Sequence, residues 1–163
     1  MAKYYVTTTI PYVNGEPHIG FGMELVMADA LARRARQQKN DVIFSTGTDE
    51  HGIKVAQKAE AEKLRPKEFT DKVSQSFLDL GKLLNVSNDR FIRTTDKAHE
   101  QRAQLIWKAL EKDIYKGKYT GWYDVRQEEF VTAAQTAPAR MQPDHPQAYQ
   151  KPEEEHYFFK LSS

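Results

Sequence analysis

The sequence predicts an α/β fold built on a parallel sheet, and two observations carry that reading. Short β-branched and aromatic runs alternate with segments of helical period in the order β-α-β-α-α-β-α. The two most unusual loops also follow directly after the first two strand candidates, at the carboxyl ends where parallel sheets place their ligands. Right-handed crossovers are expected between the strands.

Tyr4 to Ile10 is a β-branched and aromatic run stopped by Pro11, hence a short buried strand. The loop that follows, Pro11-Tyr12-Val13-Asn14-Gly15-Glu16-Pro17, holds an Asn-Gly turn signal between two prolines. From about His18 to Lys39, Met23, Val26, Met27, Ala30, Leu31 and Ala35 recur at helical spacing and form the expected buried stripe. Arg33, Arg34, Arg36 and Lys39 gather at the end that favours cations. Asp41 to Ser45 reads as the second strand, and a helix begins near Gly52. Pro66 opens another helix, with a stripe of Phe69, Val73, Phe77, Leu80 and Leu84. Arg90 to Arg93 is the third strand, and Asp96 is expected to cap a helix carrying Leu105, Ile106, Ala109 and Leu110.

The texture then changes. Tyr115 to Tyr123 reads as a hairpin-like aromatic segment, with Phe130-Val131 a further strand, together suggesting an antiparallel insertion. An Ala- and Pro-rich stretch near 133–152 reads as a flexible linker. Glu153-Glu154-Glu155 reads as a solvated turn, and Tyr157 to Leu161 as a strand with no partner downstream. The expected division is 1–112 for the sheet domain and 113–163 for a partial insertion.

With 24 Lys+Arg against 23 Asp+Glu, charge alone names no partner. No apolar run approaches a membrane span, and the first residues lack a signal peptide's apolar stretch, so a soluble, cytoplasmic chain is expected. The absence of cysteine excludes disulfides, thiolate nucleophiles and thiolate zinc sites. His18 and His51 belong to no HxxxH or HxH pair, so no metal centre is expected.

Two loops hold residues suited to chemistry. Pro17-His18-Ile19-Gly20 opens a helix after a strand, where free N–H groups and partial positive charge favour an anion such as phosphate. The same tripeptide also suits a simple cap. Gly47-Thr48-Asp49-Glu50-His51-Gly52 packs two carboxylates, a histidine and two glycines into six residues. That cluster suits an ammonium group and sugar hydroxyls, while a helix cap by Asp49 with Glu50 favouring the dipole accounts for two of the residues without a ligand.

Thr9 to Gly20, then Thr46 to Gly52, then Phe91-Ile92-Arg93-Thr94-Thr95-Asp96, in that order, resemble the amino-terminal half of methionyl-tRNA synthetases. The likeness continues through Gly121-Trp122-Tyr123 to Leu161. It implies the first half of a Rossmann-like sheet with the start of an antiparallel connective insertion of the zinc-free kind. It further implies a class I ligase that activates methionine with ATP and Mg²⁺ and then esterifies tRNA. By the resemblance, Ile10, Pro11 and Tyr12 shape the methionine pocket and Asp49 pairs with the ammonium. His18 and Gly20 hold ATP and carry the catalytic role, with Gly47 and His51 nearby in the ATP site. The segment Lys116 to Tyr123 is a candidate for contact with the tRNA acceptor end; the alternative is that Trp122 and Tyr123 form the insertion's own small core.

One position departs from the family's His-Ile-Gly-His signature: Phe21 stands where the second histidine is usual. Phenylalanine cannot donate to a phosphate, and packing into the helix–sheet interface is the expected role. The family's Lys-Met-Ser-Lys-Ser loop has no counterpart here. The chain is therefore expected to act with a carboxyl-terminal half, supplied in cis or in trans, and to be inactive alone. A stand-alone nucleotidylyltransferase and a non-catalytic methionine- or nucleotide-binding module are the alternatives.

Overall fold

The computed structural model describes residues 2–120, 122–124, 129–131, 149–150 and 153–161, with side chains for 2–118 and 155–161. Two compact units emerge, Met1–Gln104 and Leu105–Ser163.

In the first unit, β1 (Lys3–Thr7), β2 (Asp41–Thr48) and β3 (Arg90–Arg93) form a parallel sheet in the order β1-β2-β3. The connections are α1 (Ile19–Gln37) and the pair α2 (Ile53–Ala61) and α3 (Pro66–Leu83). Alternation along the strands decides which face is covered. Val6 and Phe44 are buried against Ala28 and Ala32 of α1, whereas Tyr5 and Ile43 are exposed on the opposite face. A second cluster joins Val13, Phe21, Leu25, Val55, Ala59, Phe69, Val73 and Phe77 between the helices and the loop after β1.

The first strand is shorter than the sequence suggests. Thr9 turns its N–H and its hydroxyl to the Glu24 carboxylate of α1, at 2.7 and 2.6 Å, and so leaves the ladder before Ile10. The buried face of α1 also differs from the expected stripe. Phe21, Leu25, Ala28, Ala32 and Ala35 face inward; of the expected stripe only Ala35 is among them, while Met23, Val26, Met27, Ala30 and Leu31 are exposed. Both sets have helical spacing, and the alanines win because small side chains let the helix approach the sheet closely. Asp29, also buried, accepts from the Ser87 N–H and hydroxyl and from Arg33, tying α1 to the turn before β3. In α3, Phe69, Val73 and Phe77 are buried as expected, whereas Leu84 lies at the surface.

Gly47 is fixed by the sheet itself. A Cβ there would lie 2.0 Å from the Ile92 carbonyl oxygen of β3, inside any tolerable contact. Asp96 stands just before α4 (Lys97–Ala109), but its carboxylate accepts from the Arg93 N–H at 3.3 Å, and its carbonyl takes the Glu100 N–H. It caps by backbone only.

In the second unit, β4 (Ile114–Thr120) pairs antiparallel with β8 (Glu153–Phe159). Separately, β5 (Trp122–Asp124) lies between β6 (Glu129–Val131) and β7 (Tyr149–Gln150). Among the described residues β4 does not pair with β5, so the hairpin expected within Tyr115 to Tyr123 is not formed by these strands. The terminal aromatic strand, expected to lack a downstream partner, finds an upstream one in β4. Aromatic contacts favour that pairing: Tyr115 stacks on Phe158 at 5.5 Å, and Trp107 meets Tyr157 and Phe159 edge-on. The triple glutamate is part of β8 and not a turn, with Glu155 in an ion pair to Lys116. Of the expected linker near 133–152, only Tyr149–Gln150 is among the described residues, as β7.

Replacing Gly47 by Ala forces β2 and β3 apart and should lower stability by roughly 1–3 kcal/mol. Urea denaturation of the two proteins measures the difference, and equal midpoints would contradict the close approach.

Candidate functional site

The three parallel strands end in three loops, and the ladder continues past the strands to bind those loops together. The Asp49 N–H donates to the Pro11 carbonyl at 2.9 Å, and the Val13 N–H donates to the Asp49 carbonyl at 3.1 Å. Thr94 N–H donates to the Thr48 carbonyl at 3.2 Å. Val13 is fully buried and anchors the first loop, which leaves its neighbour Tyr12 half exposed beside the second. Pro11, Tyr12 and Asp49 are thus brought together by backbone pairing. Ile10 lies at the surface of the same loop, 40 % exposed.

His18 occupies the N-cap of α1, and its Nδ1 accepts from the Gly20 N–H at 3.1 Å. In the neutral ring the proton therefore sits on Nε2, which is left as a donor. A Cβ on Gly20 would meet the His18 ring at 2.9 Å, so the glycine makes room for the cap. No acidic residue lies in the first turn of α1, which keeps this helix end favourable to anions. Among the described residues no hydrogen bond joins His18 or Gly20 to the second loop.

Phe21 turns inward, 4 % exposed, with its ring edge-on to Phe77 at 5.3 Å. It packs chiefly against α3 within the helical cluster, and it is remote from any role as a donor. Beside His18, the exposed Met23, Val26 and Met27 line an apolar groove of about 410 Å³ with Leu80 and Leu84.

The two adjacent carboxylates of the second loop have different environments. Glu50 is sealed inside, its side chain with no solvent exposure. Its Oε1 accepts from Arg93 Nε at 2.5 Å, Ser74 Oγ at 2.5 Å and Thr48 Oγ1 at 3.0 Å, and its Oε2 from Arg93 Nη2 at 2.9 Å and from Thr95 Oγ1. Arg93 in turn reaches Asp71 of α3 at 2.6 Å. Burial alone raises the Glu50 pKa, but the donors from Arg93, Ser74, Thr95 and Thr48 outweigh it and hold the group below the usual glutamate range. Hydrogen bonding to Glu50 likewise holds Arg93 more firmly as a cation. Every acceptor direction of Glu50 is engaged, so it has none left for a ligand.

Asp49 is only partly buried, and its Oδ1 accepts long bonds from the His51 N–H at 3.4 Å and Thr94 Oγ1 at 3.3 Å. Its Oδ2 accepts none among the described residues. A partly exposed carboxylate with an open oxygen suits a cationic group. His51 is exposed, with Nε2 3.4 Å from the Thr94 carbonyl. Gly52 has φ of +119° at the start of α2, a backbone state that side chains rarely adopt, and it lies beside the Tyr12 ring.

Sequence reasoning missed Glu24, Glu50 as an internal anchor, and the part played by Arg93, Thr94 and Thr95. The Arg-Thr-Thr run was visible, but only the fold shows that its side chains turn toward the second loop.

A family model described as tRNA synthetases class I (M) matches residues 4–152. The chain belongs to that family. It is 45% identical over 167 residues to the methionine–tRNA ligase of Brucella melitensis, covering 99% of this chain and 32% of the relative. Against the methionine–tRNA ligase of Clostridium tetani the identity is 46% over 161 residues, covering 98% and 25%. A solved structure of Mycobacterium tuberculosis methionyl-tRNA synthetase in complex with methionyl-adenylate superposes with a TM-score of 0.88 at 40% identity, covering 99% of this chain and 33% of that one. The chain thus spans between a quarter and a third of the length of these relatives.

The Glu50 pair makes stability depend on pH with a definite sign. Because the folded-state pKa is depressed, its contribution is complete above the unfolded glutamate value of about 4.3 and is lost as pH falls through the folded value. Glu50→Gln should therefore flatten the loss of stability between neutral and acidic pH, read from urea midpoints. An unchanged acid slope would show that Glu50 is not the depressed group.

Proposed function

We propose that this chain supplies the amino-terminal part of a methionine–tRNA ligase, which activates methionine with ATP to methionyl-adenylate and transfers it to tRNA. The observation that carries the reading is Asp49: a partly exposed carboxylate, fastened by backbone bonds to Pro11 and Val13, in a fold like that of a synthetase solved with methionyl-adenylate.

In this reading Asp49 pairs with the methionine ammonium, while Ile10, Pro11 and Tyr12 form one wall of the side-chain pocket. His18 donates from Nε2 to phosphate at the N-terminus of α1, and Gly20 lets the phosphate approach the backbone. Gly47 and His51 border the ATP site. ATP enters with its Mg²⁺ as substrate. The reaction is in-line displacement at the α-phosphorus by the methionine carboxylate, which breaks the bond to the bridging oxygen and releases pyrophosphate, and it asks for orientation and for donors toward developing charge more than for proton transfer. The sheet domain extends over 1–112, followed by an insertion at 113–163. That insertion contains no cysteine and so no thiolate zinc site. Lys116 to Tyr123 is the proposed contact with the tRNA acceptor end; the Trp122 and Tyr123 side chains lie outside those described. None of the described helices is long and apolar enough to cross a membrane, and the proposed location is cytoplasmic.

The 163 residues alone should give no methionine-dependent ATP–pyrophosphate exchange, because half of the ATP site must come from elsewhere in cis or in trans. Clear turnover by the isolated chain would refute this. In a complete ligase carrying this chain as its amino-terminal third, Asp49→Ala should raise the methionine KM by roughly 10- to 100-fold, as expected for losing a charged hydrogen bond. Near-normal methionine affinity would remove Asp49 from the site.

A further inference from the structure

The Arg93-Thr94-Thr95 turn carries no role in the reading above, yet each of its side chains is directed at the second loop. Arg93 and Thr95 hold Glu50, the buried residue between Asp49 and His51. Thr94 touches all three. It is 7 % exposed, and its Oγ1 accepts from the Glu50 N–H at 2.8 Å. A threonine hydroxyl has one proton. With a lone pair of Oγ1 committed to the Glu50 amide, that proton is directed at Asp49 Oδ1, 3.3 Å away. The same residue's carbonyl lies 3.4 Å from His51 Nε2. A carbonyl can only accept, so His51 carries its proton on Nε2 and presents Nδ1 as an acceptor. The Thr94 N–H is itself fixed to the Thr48 carbonyl, so the donor and acceptor set is tied to the sheet.

We propose that Thr94 is a positioning residue for methionine recognition: its hydroxyl orients the Asp49 carboxylate so that Oδ2 faces the substrate, and its carbonyl sets the His51 tautomer. The proposal rests on Asp49 being the ammonium partner. Thr94 does not touch the substrate. Its effect is transmitted by the one proton it gives to Oδ1, which limits rotation of the carboxylate about its Cβ–Cγ bond. A mispositioned carboxylate weakens methionine binding without altering the donors that serve ATP.

The test uses a complete ligase with this chain as its amino-terminal third and reads ATP–pyrophosphate exchange. Thr94→Val keeps the shape and removes the hydroxyl. It should raise the methionine KM about tenfold while the ATP KM and kcat change less than about threefold; Thr94→Ser, which restores the hydroxyl, should bring the methionine KM back to within about twofold. KM does not depend on the fraction of folded enzyme, and Thr94→Ala, which opens space for water at the Glu50 amide, serves as the second variant if Thr94→Val does not fold. An unmoved methionine KM in the valine or alanine variant, alongside a raised one in Asp49→Ala, overturns the positioning role alone. So does a fall in kcat and thermal midpoint with the methionine KM unchanged, which marks a purely structural residue. A normal methionine KM in Asp49→Ala overturns the underlying reading, and this proposal with it.

Discussion

A carboxylate sealed from water, Glu50, and the guanidinium of Arg93 form the interaction on which the geometry of the first unit turns. Removing Arg93 would leave the sealed Glu50 charge without its cation, a loss of about 3–5 kcal/mol in comparable sites, whereas Arg93 also has Asp71 as a partner. The pair gathers β2, β3, the turn after β3 and two residues of α3, Asp71 and Ser74, around a single point. Since Glu50 lies between Asp49 and His51, immobilising its side chain immobilises the backbone from which both neighbours project. The stability of the fold and the geometry of the candidate site are therefore one physical problem.

The order of elements was legible because each type of element has its own period, and three strand-like runs separated by helical ones admit few arrangements. The face that α1 buries was not. Two apolar stripes run along that helix at equally good spacing, and the larger side chains drew attention to the one that faces outward. Only the proximity of the sheet, which accepts Ala28 and Ala32 but not methionines, separates them. The partner of β4 was hidden for a different reason. Neighbouring segments in the chain are the natural first guess for a hairpin, whereas 32 residues separate the end of β4 from the strand that pairs with it, which begins at Glu153.

Within the site, Asp49 and Glu50 are alike in charge and adjacent in sequence, and alternation along an extended chain sends them to opposite sides. Residue type revealed the chemistry available in the loop. It did not reveal which carboxylate would be consumed by the interior. Gly47 offers a similar lesson: a glycine in a ligand loop invites a ligand explanation, yet the Ile92 carbonyl already requires it. The histidine at the start of α1 is both a cap and a donor, since the two ring nitrogens divide the roles between them.

The backbone bonds that join Pro11, Val13 and Asp49 also govern how these loops can change length. Because side chains alternate along the paired segment, inserting one residue between Pro11 and Tyr12 would shift Tyr12 into the position of Val13, placing a phenol in the core and turning the valine outward. Changes by two residues would preserve the alternation. The paired part of the first loop can therefore scarcely vary in length, and the loop's most tolerant point to substitution is Gly15, where an added Cβ meets nothing within 4 Å.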